Sequence, residues 1–335
     1  MTAPVMTQAT TTQATMTQAT TKVLMTGAGG FCGKHLATYL KSQGVAVYTM
    51  GMHPPEPSDE TVQQHFTIAD ITHSQELASI FDRVQPDYCI HLAGVASSID
   101  PVVFYRVNVS YAAALLHALE LSGLATQCPT LLVGTSAEYG VITPEQVPIH
   151  ENTPVSPYHH YGISKLAQTH LGMAAARTGR PLVMVRPFNI IGPGMPRHLS
   201  VQSFATQVVK IVLGQQPPVI EVGNLGSSRD FIDVESTVRI YWQLLQNPQA
   251  YGEVINICSG QGVVMADLLQ RLIQLSGVAV EVKVDPDRFK TLDIPVHYGC
   301  TQKLERFIHG VPHLDLDGTL QRVLDYLTVN PCFAL

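Results

Sequence analysis

A doubly wound α/β fold, a parallel sheet covered by helices on both faces, is predicted by three features of the sequence. Short apolar runs alternate with longer segments of helical periodicity from Val23 to Phe188, the rhythm of successive βαβ units. A glycine-rich run, Met25-Thr26-Gly27-Ala28-Gly29-Gly30-Phe31-Cys32-Gly33, stands where the first strand hands over to the first helix. The composition is 45% apolar and 14% charged, which suits a chain with a large core and excludes a disordered chain or a coiled coil. Together they describe a Rossmann-type doubly wound parallel sheet followed by a smaller C-terminal α/β lobe. At roughly 150 residues per domain, 335 residues make two such units.

The elements follow in order. Residues 23–26 read as the first strand, 31–43 as a helix and 45–49 as the second strand. Residues 53–60 carry three prolines and form a loop. The third strand is 65–68; Ser74 is placed to cap a helix running to Val84, with Pro86 beyond it. A strand at 88–92, a long helix at 102–122, a strand at 130–134, a helix at 158–178 and a strand at 182–186 complete the regular part. Beyond Phe188 the rhythm loosens. A Gly/Pro turn at 192–196 precedes a helix at 201–213, a strand at 219–222, a helix at 234–245, a strand at 254–257, and helices at 265–275 and 316–327. The expected division is a tail at 1–21, a dinucleotide-binding domain at 22–187 with segments returning near 228–258, and a discontinuous substrate lobe at 188–330.

The first 21 residues hold no charged residue and no histidine, and MTQAT, TTQAT and MTQAT follow one another at 6–20. This segment has neither the apolar centre of a secretory signal nor the arginines of a transit peptide, so it reads as a flexible, dispensable tail, with an alternative start downstream. The six cysteines form no CxxC pair and read as reduced, packed thiols. Twenty basic residues face 26 acidic ones without a basic block, so no nucleic-acid partner is expected. No apolar stretch reaches the roughly 18 residues of a membrane span. A cytoplasmic protein without a membrane partner and without a metal site is the expectation.

In the glycine run, Gly27 permits a tight turn, Gly30 lets a pyrophosphate approach the backbone and Gly33 lets helix and strand pack closely. The helix N-terminus, with Phe31 and Cys32, then offers N–H donors to phosphate. The second strand ends Thr49-Met50-Gly51-Met52-His53, with neither the carboxylate that marks NAD nor an arginine for a 2′-phosphate. Cofactor choice between NAD(H) and NADP(H) stays open, and the lack of a repelling carboxylate tilts it to NADP(H). Asp70-Ile71 is placed either to border the adenine or, through Asp70, to cap the next helix.

Tyr161 and Lys165 are four residues apart in YGISK, hence on one helical face. A phenol ordinarily titrates near pH 10. A neighbouring ammonium stabilises its anion and makes it an acid–base catalyst, and the same lysine can donate to ribose hydroxyls. Thr135, at the end of the fifth strand, points into the crevice where α/β sheets bind ligands; Ser136 is its rival for holding a substrate oxygen.

These residues resemble the extended short-chain dehydrogenase/reductase family, specifically its nucleotide-sugar members. The matches run in order from Lys22 to Leu327: TGAGGFCG, Asp70-Ile71, HLAG at 91–94, Asn108-Val109, TSAEYG, YGISK, RPFNIIGPG and RDFIDV. The resemblance adds Leu92, Ala93 and Gly94 to the cofactor-binding set. RPFNIIGPG at 186–194, Gly223-Asn224 with RDFIDV at 229–234, and Asp293-Ile294-Pro295 most resemble the family's reductases of GDP-linked 4-keto-6-deoxy sugars. Such an enzyme delivers a hydride to the C4 ketone. Thr135, Tyr161 and Lys165 would be catalytic, and Ser136, Glu138, Asn189, Arg229 and Lys290 would bind the nucleotide-sugar.

Family dehydratases carry a glutamate base two residues before the tyrosine of the first YG motif, where this chain has Ala137. Reduction is therefore preferred to dehydration, with a 4-epimerase and a non-catalytic NAD(P)-binding protein as the alternatives. Lys290-Thr291 stands where the family has Arg-Pro; lysine keeps the charge and loses the bidentate fork, and Arg288 is a candidate substitute. His159 and His160 read as partly solvated. A homodimer is implied by the resemblance.

Overall fold

The computed structural model describes residues 20–54, 61–289, 294–308, 310–311 and 313–330. The TQAT repeats, most of the proline-rich loop, Lys290 and Asp293 lie outside the described residues. The strands in chain order are β1 (Lys22–Thr26), β2 (Ala46–Gly51), β3 (Gln64–Thr67), β4 (Tyr88–His91), β5 (Thr130–Val133), β6 (Leu182–Pro187), β7 (Asn189–Ile191), β8 (Val219–Val222), β9 (Ser228–Asp233), β10 (Val254–Ile257), β11 (Gly262–Val264), β12 (Glu281–Val284) and β13 (Val296–His297). The helices are α1 (Phe31–Ser42), α2 (Ser74–Val84), α3 (Pro101–Tyr105), α4 (Tyr111–Leu121), α5 (His160–Arg177), α6 (Ser200–Val212), α7 (Val234–Leu245), α8 (Met265–Ser276) and α9 (Leu316–Val329).

Seven parallel strands form the main sheet in the order β10-β6-β5-β4-β1-β2-β3. Its central strands are apolar almost throughout because both faces are covered. Leu36 and Leu40 of α1 and Val238, Tyr241 and Trp242 of α7 pack one face, against Val23, Met25, Val183 and Val185. Leu77 and Phe81 of α2, Leu115 and Leu119 of α4, and their neighbours pack the other, against Leu24, Cys89, Leu132 and Met184. The chain reverses its direction of travel across the sheet between β1 and β4, which opens a crevice at their carboxyl ends.

Three expectations are corrected here. Ser74 does not cap α2: the helix begins at Ser74, and its entry is held instead by the Glu76 carboxylate, which accepts N–H bonds from Ala69 at 2.9 Å and Asp70 at 3.4 Å. The single helix expected at 102–122 is α3 and α4 joined through a π-helical turn, Arg106–Ser110. The widened turn aims Asn108 inward, where it is fully buried, and such turns recur at functional sites. Pro101–Leu121 is long and apolar enough to span a membrane, with a window of mean hydropathy 1.3, but half of that window is buried inside the protein. Finally, only part of 228–258 returns to the main sheet. Helix α7 and strand β10 do, whereas β9 pairs with β7, β11 and β13 in a separate small sheet.

The second lobe is built around that small sheet, the β8–β12 pair, and helices α6, α8 and α9, which share a core of Phe204, Val208, Leu268, Leu272, Leu320 and Leu324.

Candidate active site at the carboxyl edge of the sheet

The glycine loop is shaped by close backbone approach. Gly27 has φ +73°, and a Cβ there would lie 2.7 Å from the Ala93 nitrogen. A Cβ on Gly33 would lie 2.1 Å from the Gly27 carbonyl oxygen. Gly30 precedes α1 with no side chain over the helix N-terminus, leaving its first N–H groups facing outward. A cavity of 370 Å³ opens there, lined by Gly27 to Gly30, Gly51 to His53, Ile71 and Leu92 to Gly94. The structure thus gathers Gly27, Gly30, Ile71, Leu92, Ala93 and Gly94 around one space. Gly33 secures it from below.

The other cofactor candidates take different places. Phe31 packs edge-on against His35 and joins the cores of both lobes. Burial pushes the Cys32 thiol up to about 12, so it is a packed thiol. Asp70 does not line the cavity. Its carboxylate accepts from the Thr72 N–H at 2.9 Å and hydroxyl at 2.8 Å and faces Arg106 at 3.4 Å, and these partners hold it below the usual carboxylate range. Nor does it cap α2, whose first turn follows His73.

Helix α5 carries the tyrosine–lysine pair. The His159 ring caps it, accepting the Gly162 N–H on Nδ1 at 2.9 Å, and so sets Tyr161 in the first turn at the crevice. His159 also stacks on Tyr161, with ring centres 6.1 Å apart. One turn on, Lys165 is buried to 4% exposure, and its ammonium donates to the Val133 carbonyl at 2.5 Å and to Gln168 Oε1 at 2.7 Å. A Cβ on Gly94 would lie 3.4 Å from that ammonium and 3.1 Å from Asn108 Oδ1, so the lysine borders the cofactor cavity. Desolvation pulls Lys165 down to about 8, opposed by the charge of Glu138.

Tyr161 differs from expectation. Burial raises its pKa, the Thr135 hydroxyl hydrogen-bonded to it pulls the other way, and Glu138 and Cys32 add to the rise. The ammonium of Lys165 is engaged with Val133 and Gln168, so the phenol stays protonated.

Strand β5 ends at Val133, and a tight turn, Ser136–Tyr139, follows Thr135. Thr135 is nearly buried and its hydroxyl also accepts the Ala137 N–H at 3.2 Å. Ser136 is equally buried, and its backbone contacts the His297 ring from β13. Glu138, expected among the substrate-binding residues, is not presented to the crevice. It has no exposed surface, pairs with Arg186 Nε at 2.8 Å, and accepts the Thr135 N–H at 3.0 Å and the Thr169 hydroxyl. A buried carboxylate needs that full set of partners, and Arg186 and the turn supply them.

The substrate-lobe candidates meet on adjoining strands. Asn189 on β7 donates to the Asp230 carbonyl at 2.7 Å. Arg229 on β9 donates through Nη1 to the carbonyls of Ser228 at 2.9 Å and Ile294 at 2.7 Å. Neither Asp230 nor Asp233 takes it as an ion pair: Asp230 accepts from Ser259, Gly260 and Gly299, and Asp233 caps α7. Lys290 lies outside the described residues, and Arg288 is committed to Glu221 at 2.7 Å and Asp285 at 3.2 Å.

Sequence reasoning gave no separate role to Asn108 and missed Gln168. Asn108 accepts the Val95 N–H at 2.9 Å and donates to the Val95 carbonyl and to Ser164 Oγ, tying the π-helical turn to α5. A polar residue inside an otherwise apolar helix was the available signal. Gln168 follows Lys165 by three residues and had no signal of its own.

The model of the NAD dependent epimerase/dehydratase family matches residues 23–258. The chain belongs to that family. Two relatives are 30% identical to it: the GDP-6-deoxy-D-mannose reductase of Pseudomonas aeruginosa, over 90% of this chain and 96% of the relative, and the GDP-6-deoxy-D-talose 4-dehydrogenase of Aggregatibacter actinomycetemcomitans, over 84% and 90%. Among solved structures, RMD from Pseudomonas aeruginosa complexed with NADPH superposes with a TM-score of 0.81 at 27% identity, covering 93% of this chain and 98% of that one. Within the family fold, the glycine loop and the YGISK helix stand at the two sides of one crevice.

Proposed function

We propose that the chain reduces the C4 ketone of a nucleotide-linked 4-keto-6-deoxy sugar, with GDP-4-keto-6-deoxy-D-mannose as substrate, GDP-D-rhamnose as product and NADPH preferred over NADH. The observation that carries this reading is the turn after β5. It offers Thr135 toward a protonated Tyr161 while its one carboxylate, Glu138, is locked inward against Arg186. Elimination needs a second base at this turn, and Ala137 provides none. Reduction needs only a proton donor and an oxygen holder.

The residues present fit a bound dinucleotide: the loop is drawn tight against backbone at Gly27 and Gly33, Gly27 to Gly30 line a cavity at the uncovered start of α1, and Lys165 borders the same cavity. A reduced nicotinamide held there supplies the hydride. Tyr161 then gives its phenolic proton to the C4 oxygen, and Thr135 holds that oxygen by a hydrogen bond. Lys165, with two of its three N–H donors bonded to Val133 and Gln168, has one left to donate to the ribose. Asn189 and Arg229 hold the diphosphate, so remote binding energy orients the ketone. The 30% identity to relatives named for GDP-linked 6-deoxy sugars supports the choice of nucleotide, and the absence of an acidic residue at 49–53 supports NADPH. A cytoplasmic homodimer belongs to the same reading, supported by exposed Val102, Leu121 and Ile163 on the α3, α4 and α5 side of the sheet.

The test is oxidation of NADPH and of NADH with GDP-4-keto-6-deoxy-D-mannose, beside dTDP-4-keto-6-deoxy-glucose. Turnover with the GDP sugar, faster with NADPH, is expected. Turnover with the dTDP sugar alone moves the substrate, and sugar interconversion without net cofactor consumption replaces reduction by epimerisation.

A further inference from the structure

Asp230 lies between Arg229 and Phe231 on β9 and has no exposed surface. Its carboxylate collects four hydrogen bonds from two other segments. Oδ1 accepts the Ser259 N–H and the Ser259 hydroxyl, both at 2.8 Å. Oδ2 accepts the Gly260 N–H at 3.0 Å and the Gly299 N–H at 3.2 Å. Ser259 and Gly260 follow β10 of the main sheet, and Gly299 follows β13 of the small sheet. The main-chain carbonyl of the same residue accepts from Asn189 on β7. One residue therefore ties the edge of the main sheet to three strands of the small one. Strand alternation sends its neighbour Arg229 to the opposite face.

We propose that Asp230 is a positioning residue for the nucleotide-sugar: by clamping the segments after β10 and β13 onto β9, its carboxylate fixes Arg229 and Asn189 in the geometry that receives the diphosphate. The inference rests on the reading given under Proposed function.

The carboxylate form is what the clamp needs, because a protonated acid gives up acceptor capacity toward four donors. Burial pushes Asp230 up to about 6, and its N–H and hydroxyl donors pull it back. The charged and titratable groups around it are Arg229 beside it, His297 across in β13, Cys258 and Cys300 after the flanking strands, and Glu151 beyond Cys258. Burial, with the charge of Arg229, pushes His297 down to about 4, and burial with the charge of Asp230 pushes the Cys258 thiol up, so both stay neutral between pH 5 and 8. Acid thus loosens the clamp, and nucleotide-sugar binding weakens as pH falls through 6.

The test uses GDP-D-mannose, which has no ketone to turn over and whose diphosphodiester lacks the phosphate ionisation near pH 6. Calorimetry compares the full chain with its Asp230→Asn variant at pH 7.5 and 5.0. The wild type should bind about fivefold more weakly at pH 5.0, and the variant about tenfold more weakly than wild type at pH 7.5 with no pH dependence. With the 4-keto sugar at pH 7.5, the variant's KM should rise about tenfold while kcat stays within about threefold. Equal affinities of the two proteins, or loss of kcat and cofactor binding together, overturn the inference. Should the variant not fold, a wild-type Kd that is constant from pH 7.5 to 5.0 overturns it and a weakening toward acid supports it. A wild type that binds GDP-mannose but does not reduce the 4-keto sugar removes the proposed reaction and leaves the clamp standing.

Discussion

Burial raises the pKa of Tyr161, which leaves the phenol holding the proton that the proposed reduction needs. Replacing it by Phe should cut kcat about 10²–10⁴-fold while NADPH binding, followed by fluorescence, is kept. Lys165 supplies the pH dependence. Its folded-state value is lowered to about 8, so its ammonium is present below that pH and lost above it. kcat for ketone reduction should therefore fall as pH rises through about 8, and a pH–rate series in the alkaline range checks this. The Tyr161–Lys165 spacing was legible in the sequence because a helix fixes which residues share a face. The inward turn of Glu138 was not, since its partners Arg186 and Thr169 lie 48 and 31 residues away. Breaking that pair with Glu138→Gln leaves the buried Arg186 cation uncompensated and should destabilise the fold by about 3–5 kcal/mol, read by urea denaturation.

At the scale of elements, the glycine loop separates tolerance from collapse within five residues. A Cβ on Gly29 meets nothing within 4 Å, whereas one on Gly33 meets backbone at 2.1 Å. Gly29→Ala should keep cofactor affinity within about twofold, and Gly33→Ala should lose it by more than about tenfold as helix and strand are forced apart, both measured by NADPH titration. The central strands of the main sheet were legible because each is a short apolar run, as at 23–25 and 131–133. The β7, β11 and β13 strands are three, three and two residues long and carry no period to read. The π-helical turn was hidden for another reason: one extra residue per turn leaves no mark in composition, and only buried Asn108, bonded to Val95 and Ser164, shows what it is for.

For the whole molecule, the parallel sheet places the glycine loop, Thr135 and Lys165 at one carboxyl edge, and the small sheet brings Asn189 and Arg229 together on β7 and β9. The first half of this arrangement follows from strand–helix alternation. The second does not, because β9 leaves the main sheet, and the chain returns to it with α7 and β10. The candidate site is likewise split. The residues proposed as catalytic sit within two local motifs, while Asp230, proposed to position the substrate contacts, meets Ser259, Gly260 and Gly299 only through folding.

The central claim is that hydride passes to C4 of a nucleotide-linked ketone. NADPH deuterated at the transferring position, incubated with GDP-4-keto-6-deoxy-D-mannose and the protein, tests it by NMR of the product. The account predicts one deuterium at C4, stoichiometric with the NADPH consumed, in a GDP-6-deoxyhexose. Product formed without deuterium at C4, or deuterated cofactor left unconsumed while the sugar changes, would contradict it.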